Sequence, residues 1–271
     1  VFYRLPEKYH TVDAHNHVWF KNGGLDETRM KDLLVAADLL GIEKICVSVP
    51  LVSPAAPVEM CRKANDVTLQ AMQYSDRFLG FCFADASGGK AMVEEIDRCI
   101  IDGGMTGIKM YHQHKLQDRI QEPLMQRAAE LGVPVLMHAG LARNSDTIAR
   151  GPLTSHAGDF LEALQIFPDT MFIQGHIGGG GDWQWNLRTL ETVDSDNYWI
   201  DLSGSVIDAG ILRDTVNAVG ADRVLFATDG SFEEAVGKLQ AAHLSEEDIL
   251  KITSGNFNKI LQRRKVNVKN V

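Results

Sequence analysis

His15 and His17, in VDAHNHVWF (12–20), stand two residues apart at the end of an apolar run. Side chains alternate faces along a strand, so the spacing predicts that both point the same way, with Asp13 sharing their parity. Three more groups end apolar runs in the same manner: His138 in VPVLMHA (133–139), His176 in TMFIQGH (170–176) and Asp229 in RVLFATD (223–229). Neutral imidazoles converging with a carboxylate make a divalent-metal site, with zinc the expected ion. A lone strand histidine is more often a core residue satisfied by hydrogen bonds. The set argues otherwise, because clustered imidazoles without a cation are desolvated and repel when protonated.

Side chains so far apart in the chain must be delivered by a scaffold. Eight apolar runs read as strands, at 11–17, 44–50, 78–85, 106–112, 133–139, 170–176, 198–204 and 223–229. Amphipathic stretches lie between them, such as MKDLLVAADLLG (30–41) and EPLMQRAAELG (122–132), the second with Gly132 as a C-terminal cap. Two more follow the last strand, at 232–243 and 245–264, where Ser245 and Asp248 resemble a capping box. Eight strand–helix units predict an α/β chain folded as a (β/α)8 barrel, one domain over 1–271, with its site at the C-terminal ends of the strands. An open, doubly wound sheet is the alternative, since alternation alone does not reveal closure.

On DAHNH (13–17), GIKMYH (107–112), His138, GH (175–176), ATDGS (227–231) and the late SGNFNKIL (254–261), the chain resembles the metal-dependent amidohydrolase superfamily, in particular amidohydrolase family 2. The resemblance spans nearly the whole chain. It implies that His15, His17, His138 and Asp229 are metal ligands or close to them. It makes His176 a second-metal ligand or a catalytic acid and electrophile, and Asp229 also the general base. Some members of the superfamily carbamylate a lysine to bridge two metals, whereas this branch often uses one metal. The ion count thus stays open between one and two. Barrels of this branch are often dimers or larger, so a homo-oligomer is one expectation, and the oligomeric state stays open.

Lys109, in TGIKM, is expected to face the barrel interior with Tyr111. A buried lysine beside metal ligands is costly unless paired or modified. The reading preferred is an unmodified Lys109 near the site, with pairing to Asp201 as the structural alternative. His112 and His114 form a second HxH beyond the strand body and are read as substrate-loop or surface residues. Arg143 is a candidate clamp for a substrate carboxylate or phosphate, or a solvated loop residue. Trp19 is a candidate pocket wall, Tyr111 faces the same space, and Ser203 and Ser231 are candidate substrate contacts. Of Trp183 and Trp185, one is expected in the core. GHIGGGGDW (175–183) lacks GxGxxG and GK[ST] spacing, so its glycines are read as a tight turn past the metal rather than a nucleotide loop.

A bound metal lowers the pKa of its water from nearly 16 to about 7. With Asp229 moving the proton, the site predicts hydrolysis of an amide, lactone or ester of a small molecule. The same apparatus serves non-oxidative decarboxylation of a small aromatic carboxylic acid, which the resemblance also includes. A non-catalytic metal-binding barrel is a third reading, disfavoured by the presence of Asp229. The net charge of -9 argues against nucleic acid and anionic membrane as partners. The basic cluster Arg263, Arg264, Lys265 and Lys269 is read as a solvated tail. Cys46, Cys61, Cys82 and Cys99 form no CxxC pair, and no run approaches a membrane span, so a cytoplasmic location is expected.

Overall fold

A computed structural model describes residues 4–140, 153–179, 183–204 and 206–266. Eight parallel strands form one sheet: β1 (Thr11–His17), β4 (Ile42–Ser48), β5 (Phe78–Phe83), β6 (Gly107–Met110), β7 (Val135–Met137), β8 (Phe172–Gln174), β9 (Tyr198–Asp201) and β10 (Val224–Leu225). Their order around the sheet is their order in the chain. That is the (β/α)8 barrel, and it excludes the doubly wound alternative, whose strand order reverses at a switch point. No regular ladder joins β10 to β1. The ring is drawn together there by Ala14 N donating to Phe226 O at 2.9 Å and Asp229 N donating to His15 O at 2.7 Å.

Between β1 and the first helix, Glu27–Leu40, lies a hairpin the apolar pattern did not announce, β2 (Phe20–Lys21) against β3 (Gly24–Leu25). Its turn is Asn22–Gly23, both at positive φ (54° and 85°), the residue pair that such a two-residue turn prefers. Helix Glu122–Leu131 ends where Gly132 turns left-handed at φ 66°, as the sequence predicts. Ser245 accepts a hydrogen bond from Asp248 N at 3.1 Å and starts Glu246–Leu250. The predicted helix over 245–264 is broken by a π-helical turn, Lys251–Gly255. Thr253 Oγ1 donates back to Ile249 O at 2.7 Å there, a competitor for the helical ladder.

Apolar side chains fill two spaces. Val12, Ala14, Cys46, Phe81, Leu136, Ile173, Trp199, Leu225 and Ala227 pack inside the barrel, with Phe257 and Ile260 of helix Asn256–Gln262 joining them. A larger cluster packs between the strands and the helices. All four cysteines are free and buried. As far as Lys265 the basic cluster stays at the surface, with Arg263 and Lys265 exposed, but it is tied down rather than loose. Arg263 donates to Asp196 O, Arg264 to Ile100 O and Lys265 to Ala129 O. Carbonyls at the ends of helices and turns lack partners and recruit cations. Lys269 lies outside the described residues. Among the described residues, no helix is long and apolar enough to cross a membrane.

Candidate active site

The strand ends carry the predicted groups to one place. Inward-facing positions follow simple alternation on most strands: Leu136 leads to His138, Trp199 to Asp201 and Ser203, Leu225 and Ala227 to Asp229. Two strands break it. In β1 the register against β4 slips between Asp13 and Asn16, a bulge that adds one residue. Val12 and Ala14 pack in the barrel interior, yet His15 and His17 also reach the site. Asp13, expected with them by parity, goes elsewhere. Its carboxylate accepts from Thr228 N (2.9 Å), Thr228 Oγ1 (2.6 Å), Asn16 Nδ2 (2.9 Å) and His15 N (3.2 Å). Burial pushes its pKa up to about 7 against the pull of those donors. At β8, His176 is one residue out of phase with Ile173 and turns in through a left-handed backbone, φ 73°. Asp229 is also left-handed, φ 48°. Such strain in non-glycine residues persists where the surroundings over-determine it.

The site is a lattice of imidazoles around Asp229. His17 Nε2 lies 2.9 Å from Asp229 Oδ1, His15 Nε2 3.7 Å from the same oxygen, and His176 Nε2 3.8 Å from Oδ2. His138 Nδ1 is 2.8 Å from His176 Nε2. Tyr111 stacks on His138, ring centroids 4.1 Å apart at 19°. Asp229 is part-exposed at 30%, whereas the side chain of Asp201 is fully buried. Burial raises Asp229, but the His17 hydrogen bond and the His15 and His176 rings outweigh it and hold the carboxyl well below the usual carboxylate range. Burial and the Lys109 charge push His15 down to about 4, against the pull of Asp201. Burial likewise lowers His138 and His176, so these rings are neutral at pH 7.

Neighbours assign the nitrogens. His15 Nδ1 lies 2.8 Å from Asp201 Oδ2, so it carries the proton and leaves Nε2 bare. His17 Nδ1 lies 3.3 Å from Ser48 O and 3.4 Å from Ser48 Oγ, while its Nε2 faces Asp229 Oδ1 at 2.9 Å. An imidazole nitrogen and a carboxylate oxygen that close hold a proton or a cation between them. The ligand atoms of His15, His17 and Asp229 lie within 4.8 Å of one another. This donor set fits a divalent cation, with carboxylate and carbonyl partners orienting the rings behind it.

Lys109 is fully buried, and its Nζ sits 2.8 Å from His15 Nε2. Its partner is thus a candidate ligand rather than Asp201, the alternative weighed from sequence, because Asp201 is already committed to His15, His176 and Ser203. Burial lowers Lys109 to about 8 despite Asp229 and Asp201. Trp19 stands edge-on to His17, centroids 6.4 Å apart, and the Arg29 guanidinium lies over the Trp19 ring, 3.8 Å from its centroid. Ser203 is buried against His176 and Asp201. Ser231 is exposed as the residue preceding helix Phe232–Ala241. Arg143 lies outside the described residues. His112 Nε2 meets Val52 O at 2.9 Å while its ring packs against Tyr111 at 4.6 Å, and His114 pairs with Asp85 at 3.2 Å. Trp183 is the core tryptophan, donating to Asp208 at 2.6 Å, while Trp185 is exposed. Sequence reasoning missed the orienting roles of Asp201 and Ser48. Only the strand-end position of Asp201, in YWIDLSG, signalled it.

The chain is similar to known proteins along most of its length. The sequence model of the family described as Amidohydrolase matches residues 12–262. The gamma-resorcylate decarboxylase of Rhizobium sp. (strain MTP-10005) is 25% identical over 88% of this chain and 87% of that protein. The 2-keto-4-carboxy-3-hexenedioate hydratase of Sphingobium sp. (strain NBRC 103272 / SYK-6) is 24% identical over 70% of this chain and 67% of its own. Among solved structures, a dihydroxybenzoic acid decarboxylase from Polaromonas sp. JS666, with bound manganese and the inhibitor 2-nitroresorcinol, superposes with a TM-score of 0.71. It has 20% identity and covers 93% of this chain and 96% of that one.

Proposed function

This chain belongs to the amidohydrolase family, and from that premise we propose that it is a metal-dependent non-oxidative decarboxylase of a small aromatic carboxylic acid. The observation that carries the metal is the convergence of His15, His17 and Asp229, whose ligand atoms lie within 4.8 Å of one another, with bare His15 Nε2 facing the oxygen that His17 Nε2 meets at 2.9 Å. His15, His17, His138 and Asp229 would hold the ion, with His176 beside them. Zinc suits the donor types, and manganese is supported by the Polaromonas enzyme. Bound there, a divalent cation supplies Lewis-acid polarisation of a substrate oxygen.

The protein's own groups supply the rest. Decarboxylation replaces a C–C bond with a C–H bond. A proton goes to the ring carbon bearing the carboxylate, the C–C electron pair returns to the ring, and carbon dioxide leaves. Asp229, open to the mouth, is the group placed to carry that proton, and His17 and His176 are its neighbouring proton partners. Tyr111, rigid on His138, and Trp19 offer aromatic faces to a planar substrate. Hydrolysis, the leading reading from sequence, uses the same groups with water as nucleophile. The decarboxylase relatives weigh toward the alternative. The test is to load the protein with zinc or manganese and offer hydroxybenzoic acids beside phenyl esters and lactones. Release of carbon dioxide is expected. Ester or lactone cleavage without it would return the assignment to a hydrolase.

A further inference from the structure

Ser203 has a task that the reaction scheme above does not assign. Its Oγ is 2.5 Å from Asp201 Oδ1 and 3.0 Å from His176 Nδ1. A hydroxyl has one proton. Asp201 is an acceptor on both oxygens: Oδ1 takes the backbone N–H groups of His176 and Ser203, both at 3.0 Å, and Oδ2 faces His15 Nδ1 at 2.8 Å. The hydroxyl therefore donates to Asp201, and its oxygen accepts from His176 Nδ1–H. His176 Nε2 is then bare, facing Asp229 at 3.8 Å and accepting from His138 Nδ1 at 2.8 Å. We propose that Ser203 is a positioning residue that fixes His176 with its proton on Nδ1, so that Nε2 meets the site as an acceptor or ligand.

The surroundings hold this serine still. Lys238 Nζ donates to the carbonyls on either side of it, Leu202 O at 3.1 Å and Gly204 O at 2.5 Å. Ser203 N donates to Asp201 Oδ1 at 3.0 Å. Gly204, at φ 98°, brings the chain against the ring: a Cβ there would lie 3.0 Å from His176 Cβ. One buried carboxylate thus sets two imidazoles, His15 directly through Oδ2 and His176 through the hydroxyl on Oδ1. Its one proton is thus committed inside the protein, to Asp201.

The inference rests on His176 facing the active site, and its test needs no substrate. Long-range 15N–1H spectra of histidine-labelled protein report which ring nitrogen bears the proton, with His176 identified by loss of its signals in His176→Gln. The wild type is expected to show Nδ1–H and a bare Nε2. Ser203→Thr retains that single form, and Ser203→Ala loses it, giving a second tautomer with Nε2–H. A wild-type His176 protonated on Nε2 would overturn the proposal, and that reading stands even if a variant fails to fold. An unchanged single tautomer in folded Ser203→Ala would overturn it equally. Absence of carbon dioxide release sinks the decarboxylase reading and leaves these spectra as they are.

Discussion

Replacing Asp201 by Asn tests how the site prepares its ligands. Four donors converge on this carboxylate: His176 N, Ser203 N and Ser203 Oγ on Oδ1, and His15 Nδ1 on Oδ2. An asparagine that keeps its oxygen on the Oδ1 side preserves three of them and turns an amide N–H₂ against His15 Nδ1. The imidazole must then accept there and move its proton to Nε2, the atom that faces Asp229. A protonated Nε2 has no lone pair for a cation, and it also faces the Lys109 ammonium at 2.8 Å. Loss of such an orienting partner typically weakens metal binding about 10–100-fold, which is about 1.4–2.7 kcal/mol. Competition with a chromophoric chelator, at fixed pH with zinc and with manganese, measures it, and thermal melting checks the fold. Affinity within two-fold of the parent in a folded variant would refute the claim that Asp201 sets the coordinating nitrogen of His15.

Asp229→Asn is expected to keep much of the bound metal and to lose turnover by several orders of magnitude, since an amide cannot carry the proton; retained turnover rules out that role. Gly175→Ala brings a Cβ to 3.1 Å from Met137 O and 3.2 Å from the His15 ring. It is expected to weaken metal binding more than it lowers the melting temperature, and equal affinity would show that His15 has room to move. Glu95 gives a pH prediction away from the site. Burial raises this carboxyl, but bonds from Arg98, Asn65, Arg62 and Cys99 outweigh it and bring it from 4.5 to about 2. A lowered folded pKa means stability present above 4.5 and lost as pH falls toward 2. The shift corresponds to about 3 kcal/mol at most, reduced to about 2 by solvent at the partly exposed arginines. Urea midpoints of Glu95→Gln and the parent should therefore converge as pH falls through that window, and a constant gap would contradict the ion-pair account.

The barrel was legible because its strands are short apolar runs punctuated by helices, a pattern set by burial on both faces of a parallel sheet. The site was legible where alternation holds, as at His138 and Asp229. It failed where backbone geometry overrides period two. The bulge in β1 moved Asp13 off the face shared by His15 and His17, and the left-handed turn at His176 brought in a side chain that alternation would point outward. Neither leaves a mark in residue type. The partners of Lys109 and Asp201 were hidden for another reason: His15 and Asp201 are 186 residues apart, and sequence alone does not say which charges meet. The carbonyls that capture Arg263 and Arg264 were equally out of view.

The seam between β1 and β10 carries one more implication. Residues 215 positions apart, Asp13 and Thr228, must meet there before His15 and Asp229 can share an ion. Bringing such distant segments together is entropically slow. A cation held across that join would act as a clasp on the ring, adding to folding free energy as its concentration exceeds its dissociation constant. The candidate site and the closure of the ring then share the same few ångströms of protein.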